Sequence, residues 1–152
     1  METAMFKFLA ALKTFMLGAM LATSLQAQAQ APAQPAVKVV YHLSDGIPQA
    51  SRAINNIRNH LAADPTAKIV VVTHGAGIDF LLEGANNTAG QSFAGAIGDL
   101  SAKGVTFAVC NNTLVSRNID PSKVAMEAKV VPSGVAEVAR LQAREGFVYL
   151  RP

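Results

Sequence analysis

Five short runs rich in β-branched and aromatic residues recur along this chain, at 37–43, 68–73, 105–109, 129–132 and 147–150, with helix-like stretches between them. That alternation leaves few folds open, because strands separated by helical crossovers assemble into a parallel sheet with helices packed on its faces. Lys68-Ile69-Val70-Val71-Val72-Thr73 narrows the choice further. An unbroken apolar run of this kind suits a central parallel strand covered on both sides. The expected architecture is one α/β domain, a three-layer α/β/α sandwich around a five-stranded, mainly parallel sheet.

The intervening segments carry their own punctuation. Ser44-Asp45-Gly46 offers a turn and a helix cap, and Ala50, Ile54, Ile57 and Leu61 share one face of a helix over about 48–62 that Asp64-Pro65 stops. A short helix is expected over about 78–82, with Asp79 near its positive end. Phe93, Ile97 and Leu100 mark the next helical face, which closes at Lys103-Gly104. Another short helix is expected at 112–117. Ser133-Gly134 opens the last one, with Val135, Val138, Ala139 and Gln142 on one side, ending at Glu145-Gly146.

The first residues read as a targeting segment. Lys7 and Lys13 precede the apolar stretch 15–22, and Ala27-Gln28-Ala29 has the small-x-small form of a signal-peptidase site. The stretch is shorter than the roughly 20 apolar residues of a membrane span. Cleavage after Ala29 is therefore expected, leaving no stable membrane span, a Pro-containing linker at 30–36 and a domain at 37–152 in a periplasmic setting. The formal charge of +3 falls by one when Lys7, Lys13 and Glu2 leave, and no Lys/Arg cluster points to nucleic acid.

A secreted chain with one cysteine forms no internal disulfide, so Cys110 is either buried and inert, paired with another molecule, or kept for chemistry. It ends a strand-like run and precedes the polar Asn111-Asn112-Thr113. A helix starting there would favour thiolate over thiol. Ligands bind outside the carboxyl ends of strands in such sheets, which gathers Ser44-Asp45-Gly46, His74-Gly75-Ala76-Gly77, Cys110-Asn111-Asn112-Thr113 and Pro132-Ser133-Gly134 on one edge. His74 reads as a proton acceptor for the thiol or as a polar turn residue, and Gly75 and Gly77 allow a ligand close approach. Arg117 would meet an anionic substrate or remain solvated. Asp45 and Ser133, with Gly75, Asn111, Asn112 and Arg117, complete the candidate substrate-binding set around Cys110 and His74. His42 is expected to pack beside the sheet and His60 to lie on a helix surface.

Other chemistries lack their signatures. Structural zinc needs four ligands with CxxC-like or HxxxH-like spacing, so no metal is expected. Gly75-Ala76-Gly77 is a fragment of a dinucleotide fingerprint without its third glycine or acidic partner, and no Gly-x-Ser-x-Gly elbow or P-loop occurs, so no cofactor is expected. The sequons at Asn86 and Asn111 match a glycosylation pattern and say nothing further.

Three segments together resemble the DsrE/DsrF-like (DsrEFH) superfamily of sulfur-relay proteins, which includes the TusD-like subunits: Val71-Val72-Thr73-His74-Gly75, Cys110-Asn111-Asn112-Thr113-Leu114 with Arg117, and 131–137. The chain looks especially like the secreted, stand-alone members. The resemblance implies a three-layer α/β/α fold, homotrimers or homohexamers, and a cysteine, matched by Cys110, that accepts sulfane sulfur as a persulfide. Its partners would be sulfur donor and acceptor proteins or small sulfur compounds, in a sulfurtransferase-type carrier. The rival reading is a non-catalytic small-ligand-binding or assembly subunit with the same fold.

Overall fold

The computed structural model of the protein describes residues 35–152, and the expected signal segment with most of the linker lies outside the described residues. Strand β1 (Lys38–Leu43) leads into helix α1 (Ile47–Ala63) and β2 (Lys68–Thr73). A 3-10 segment (Gly75–Leu81) and α2 (Ala94–Ala102) connect to β3 (Thr106–Cys110). Helix α3 (Asn111–Ser116) and a 3-10 turn at Pro121–Lys123 precede β4 (Ala128–Val131), and α4 (Gly134–Glu145) returns the chain to β5 (Val148–Leu150). The sheet order is β4-β3-β2-β1-β5, and every pairing is parallel. The apolar β2 occupies the centre, as its composition requires.

The two faces of the sheet are unequally covered. On the first, Val39, Tyr41, Leu43, Ile69, Val71, Phe107 and Val109 pack against Ile54 and Ile57 of α1, Phe80 of the 3-10 segment, Ile97 and Leu100 of α2 and Leu114 of α3. On the second, Val40, Val72, Ala108 and Val131 meet a single helix through Val138 and Leu141, with Phe147 closing the end. This follows from connectivity: β1 to β4 advance in one direction, and only the β4–α4–β5 crossover has to recross the sheet.

Three local expectations change. The short helix expected at 78–82 is a 3-10 segment that begins directly after His74, because Gly77 is pressed onto the end of β1. A Cβ there would lie 2.2 Å from the Leu43 carbonyl oxygen. The buried face of α4 is Gly134, Val138 and Leu141, whereas Val135, Ala139 and Gln142 are exposed. Ser44 and Asp45 do not cap α1. The N-cap is Gly46 at φ +81°, and the buried Gln49 side chain accepts from the N–H groups of Ser44 and Asp45, both at 2.8 Å.

Candidate functional site

Cys110 is at once the last residue of β3 and the N-cap of α3. Its neighbour across the ladder is Val131, the last residue of β4. The chain leaves β3 towards the first face and β4 towards the second, so the sulfur sits where successive crossovers diverge, the place open α/β sheets use for ligands. The starts of α3 and α4 therefore converge on it. Gly134 permits this closeness: a Cβ added there would lie 3.2 Å from both the Cys110 and His74 β-carbons and 3.1 Å from the Thr73 carbonyl oxygen.

Cys110 is only 5% exposed. Burial pushes its thiol pKa up, but donors around the sulfur reverse the outcome, and the net displacement is downward. Those donors are the N–H of Gly134 and the hydroxyl and N–H of Thr113. Thr113 is itself held in place, since its Oγ1 accepts from the Gly75 N–H at 3.0 Å. Hydrogen bonds to the charged form favour it, so the fold eases ionisation of a thiol held in a water-poor position.

A row of polar side chains continues from this point across the second face. Side chains alternate along strands, so His42 and His74 share the face of Val40 and Val72, and Tyr149 shares it through its pairing with Val40. His42 Nε2 and His74 Nε2 are 2.7 Å apart, and His42 Nδ1 lies 2.8 Å from the Tyr149 hydroxyl. Burial first, and then the charges of His74 and Arg151, hold the His42 pKa below the usual histidine range against the opposing pull of Asp45. Among the described residues no group of three or more His, Cys, Asp or Glu side chains is placed to hold a metal ion.

The family model described as DsrE/DsrF-like matches residues 21–151. The chain belongs to the DsrE/DsrF-like family. Among solved structures it is similar to the protein MTH1491 of Methanobacterium thermoautotrophicum, described as of unknown function, at 31% identity and a TM-score of 0.67. That match covers 76% of this chain and 99% of the other. The ychN protein of E. coli shares the fold at 14% identity and a TM-score of 0.60, covering 76% of this chain and 99% of that one. No curated protein matches.

In this DsrE/DsrF-like chain the candidate residues separate into two groups. Cys110, His74, Asn112 and Ser133 gather at the β3–β4 end; Ser133 caps α4 by accepting from the Ala136 N–H at 3.5 Å, and the Asn112 N–H donates to the Pro132 carbonyl at 3.3 Å. Asn111 begins α3 beside the sulfur, half-buried. Gly75 serves the frame: its N–H is taken by Thr113 and its carbonyl by Arg117. Arg117 is bound to Asp79 at 2.6 Å. Asp45 lies at the far end beyond β1, where it pairs with Arg151 at 2.7 Å and accepts from the Ser44 hydroxyl, contacts that hold its carboxyl below the usual range.

His42 joins the polar row instead of merely packing beside the sheet, and His60 is hydrogen-bonded through Nδ1 to the Tyr41 hydroxyl at 3.0 Å. Sequence reasoning passed over Thr113, Gly134 and Tyr149. For Thr113 the signal was present, a hydroxyl three residues after a strand-ending cysteine. For Tyr149 there was none, because only the placement of β5 beside β1 brings it to His42.

Proposed function

We propose that this DsrE/DsrF-like protein is a sulfur carrier that holds sulfane sulfur as a persulfide on Cys110. The observation that carries this reading is the place of Cys110, which ends β3, N-caps α3 and packs against Gly134 at the start of α4, where Gly134 and Thr113 donors hold its pKa down despite its burial. The Cys110 thiolate attacks the outer sulfur of a donor persulfide. A new S–S bond forms to Cys110, the donor's S–S bond breaks, and its electron pair leaves on the donor thiolate, so sulfur moves without net oxidation. The same donors that stabilise the resting thiolate make it a good leaving group when an acceptor thiol collects the sulfur. His74, whose β-carbon packs against Gly134 as that of Cys110 does, is given the acceptor's proton in this reading.

Two finer features belong to the reading. Exposed Val115, Val130 and Val135, with Met126 at 92% exposure, surround edge strand β4 and support assembly into a homotrimer or homohexamer. The 1–29 segment supports secretion to the periplasm, where persulfide donors and acceptors would be met.

Intact mass after incubation with a small-molecule persulfide tests the carrier. One added sulfur atom is expected per chain, absent in Cys110→Ser. The low exposure of Cys110 favours a second reading, in which the thiol packs and the edge holds a ligand or a partner subunit. A native thiol that gains no sulfur establishes that reading and overturns the carrier.

A further inference from the structure

Cys110, His74, His42 and Tyr149 stand in order across the carboxyl edge of β3, β2, β1 and β5, on one face of the sheet. The row runs from a buried sulfur to a phenol that is 37% exposed. The two links beyond His74, from His74 to His42 at 2.7 Å and from His42 to Tyr149 at 2.8 Å, are both short enough to share a hydrogen. One hydrogen must lie between the two Nε2 atoms, since two bare or two protonated nitrogens would repel at that distance. This couples the tautomers: when His74 carries it, His42 accepts at Nε2, holds its own hydrogen on Nδ1 and donates it to the Tyr149 oxygen. The Nδ1 of His74 is then a bare base. When His42 carries the shared hydrogen, the Tyr149 hydroxyl donates to His42 Nδ1, and His74 Nδ1 bears a hydrogen.

We infer that Tyr149, His42 and His74 form a proton relay between the sulfur site and solvent. The inference rests on the carrier reading for the origin of its proton. In the unloading step an acceptor thiol attacks the outer sulfur of the Cys110 persulfide. The acceptor's sulfur bonds to that sulfur, the bond to Cys110 breaks, and its electron pair returns to the Cys110 thiolate. The acceptor's proton passes to His74 Nδ1. The Nε2 hydrogen of His74 moves to His42 Nε2, the Nδ1 hydrogen of His42 moves to the Tyr149 oxygen, and the original Tyr149 hydrogen goes to water. One proton has left the site, and both rings end neutral with their tautomers exchanged. Arg151 and Asp45, the charged groups facing His42 from β5's end and the β1 loop, oppose each other in setting its charge. His42 and Tyr149 are positioning residues in this scheme, acting through His74.

Side-chain nitrogen NMR of the full chain labelled at histidine tests the relay without any sulfur donor. Tyr149→Phe removes a hydroxyl that, among the described residues, is hydrogen-bonded to His42 and not to His74, yet the relay requires the Nδ1 and Nε2 signals of His74 to move as well. His74 signals that stay put while those of His42 move overturn it. A second measurement uses the loaded protein: His42→Gln keeps a hydrogen-bonding side chain but cannot pass a proton, and unloading to a small thiol is expected to slow about tenfold or more. Alkylation of the resting Cys110 by iodoacetamide should be unaffected in the same variant. Unloading at the wild-type rate in both variants overturns the relay. Coupled histidine signals in a protein whose Cys110 never loads would uphold the hydrogen-bonded relay and overturn the carrier reading instead.

Discussion

The two faces of the sheet are made from the same kinds of strand and do different work. The first is buried to its very end, with Leu43 and Thr73 fully enclosed, the Thr73 hydroxyl donating to the Ala108 carbonyl, and helices α1, α2 and α3 and the 3-10 segment packed over it. The second carries one helix, and on β1, β2 and β3 its apolar part stops at Val40, Val72 and Ala108; the next residues outward on those strands are His42, His74 and Cys110. A face covered by one helix cannot desolvate the whole sheet. It leaves the carboxyl edge as the place where polar groups can sit half-buried and hydrogen-bonded to one another. Stability is concentrated on one side of the sheet and reactivity on the other.

Breaking that division calls for the largest effects first. Gly77→Ala puts a Cβ 2.2 Å from backbone that cannot yield, and a cost above about 4 kcal/mol is expected, enough to leave much of the chain unfolded. Phe107→Ala, which empties a fully buried site beneath Phe80, should cost about 3–5 kcal/mol in urea unfolding. In whatever fraction of Phe107→Ala stays folded, Cys110 should alkylate at the wild-type rate. A folded Phe107→Ala protein with a sluggish thiol would show that the two faces are coupled, and the division would fall.

Gly134→Ala comes next and bears on the second face directly. Its methyl would press on the Thr73 carbonyl oxygen and on the β-carbons of Cys110 and His74, all within 3.2 Å. Those neighbours can give by a few tenths of an ångström. A loss of about 1–3 kcal/mol is expected, together with slower persulfide loading, because the Gly134 N–H is one of the groups that hold the thiolate. Wild-type loading in a destabilised Gly134→Ala protein would mean that α4 supports the sheet but not the sulfur.

The sequence disclosed the first face more fully than the second, for a physical reason. Burial against several helices writes itself into local pattern: the run at Lys68–Thr73 and the Ala50, Ile54, Ile57 spacing are legible because each position has one solvent-free environment. Cys110 was legible as well, since a strand-ending thiol before a helix start is a local event. The polar row was not. His42 and Tyr149 meet only because β5 inserts beside β1, 107 positions away along the chain, and no local pattern encodes that neighbour. The α4 face was misjudged because Val135 is apolar yet exposed, next to edge strand β4, where its surroundings depend on what else lies against it.

Thr113→Val sharpens the account of the thiol. The valine keeps the shape, removes a donor to the sulfur and leaves the Gly75 N–H without its acceptor, so about 1 kcal/mol of stability should go. The pH profile of Cys110 alkylation should shift upward towards the ordinary thiol value of about 8.5. The sign of the stability effect is fixed by linkage. A pKa lowered by folding adds stability that is fully present above the unfolded value and is lost as pH falls through the folded one. The deficit of Thr113→Val relative to wild type should therefore widen as pH rises from neutral into the alkaline range. A deficit that is flat with pH would show that Thr113 braces Gly75 without tuning the sulfur.

The smallest effect is expected at Arg117, and its smallness is informative. The guanidinium is tied to the Asp79 carboxylate and the Gly75 carbonyl, yet both charged partners are about one-third exposed. Solvent screening limits such a pair to about 1 kcal/mol or less, and added salt should reduce it further. Arg117→Ala should consequently unfold only slightly earlier than wild type, with the difference shrinking in high salt. The arginine also stands near the loop that presents His74, where an anionic donor would approach. Loading rates with a neutral and an anionic persulfide donor separate the two roles. Equal rates for the variant and wild type with both donors are expected if Asp79 keeps the guanidinium. A loss confined to the anionic donor would show that Arg117 releases Asp79 to meet substrate, extending the reactive side of the sheet onto the first face's own helices.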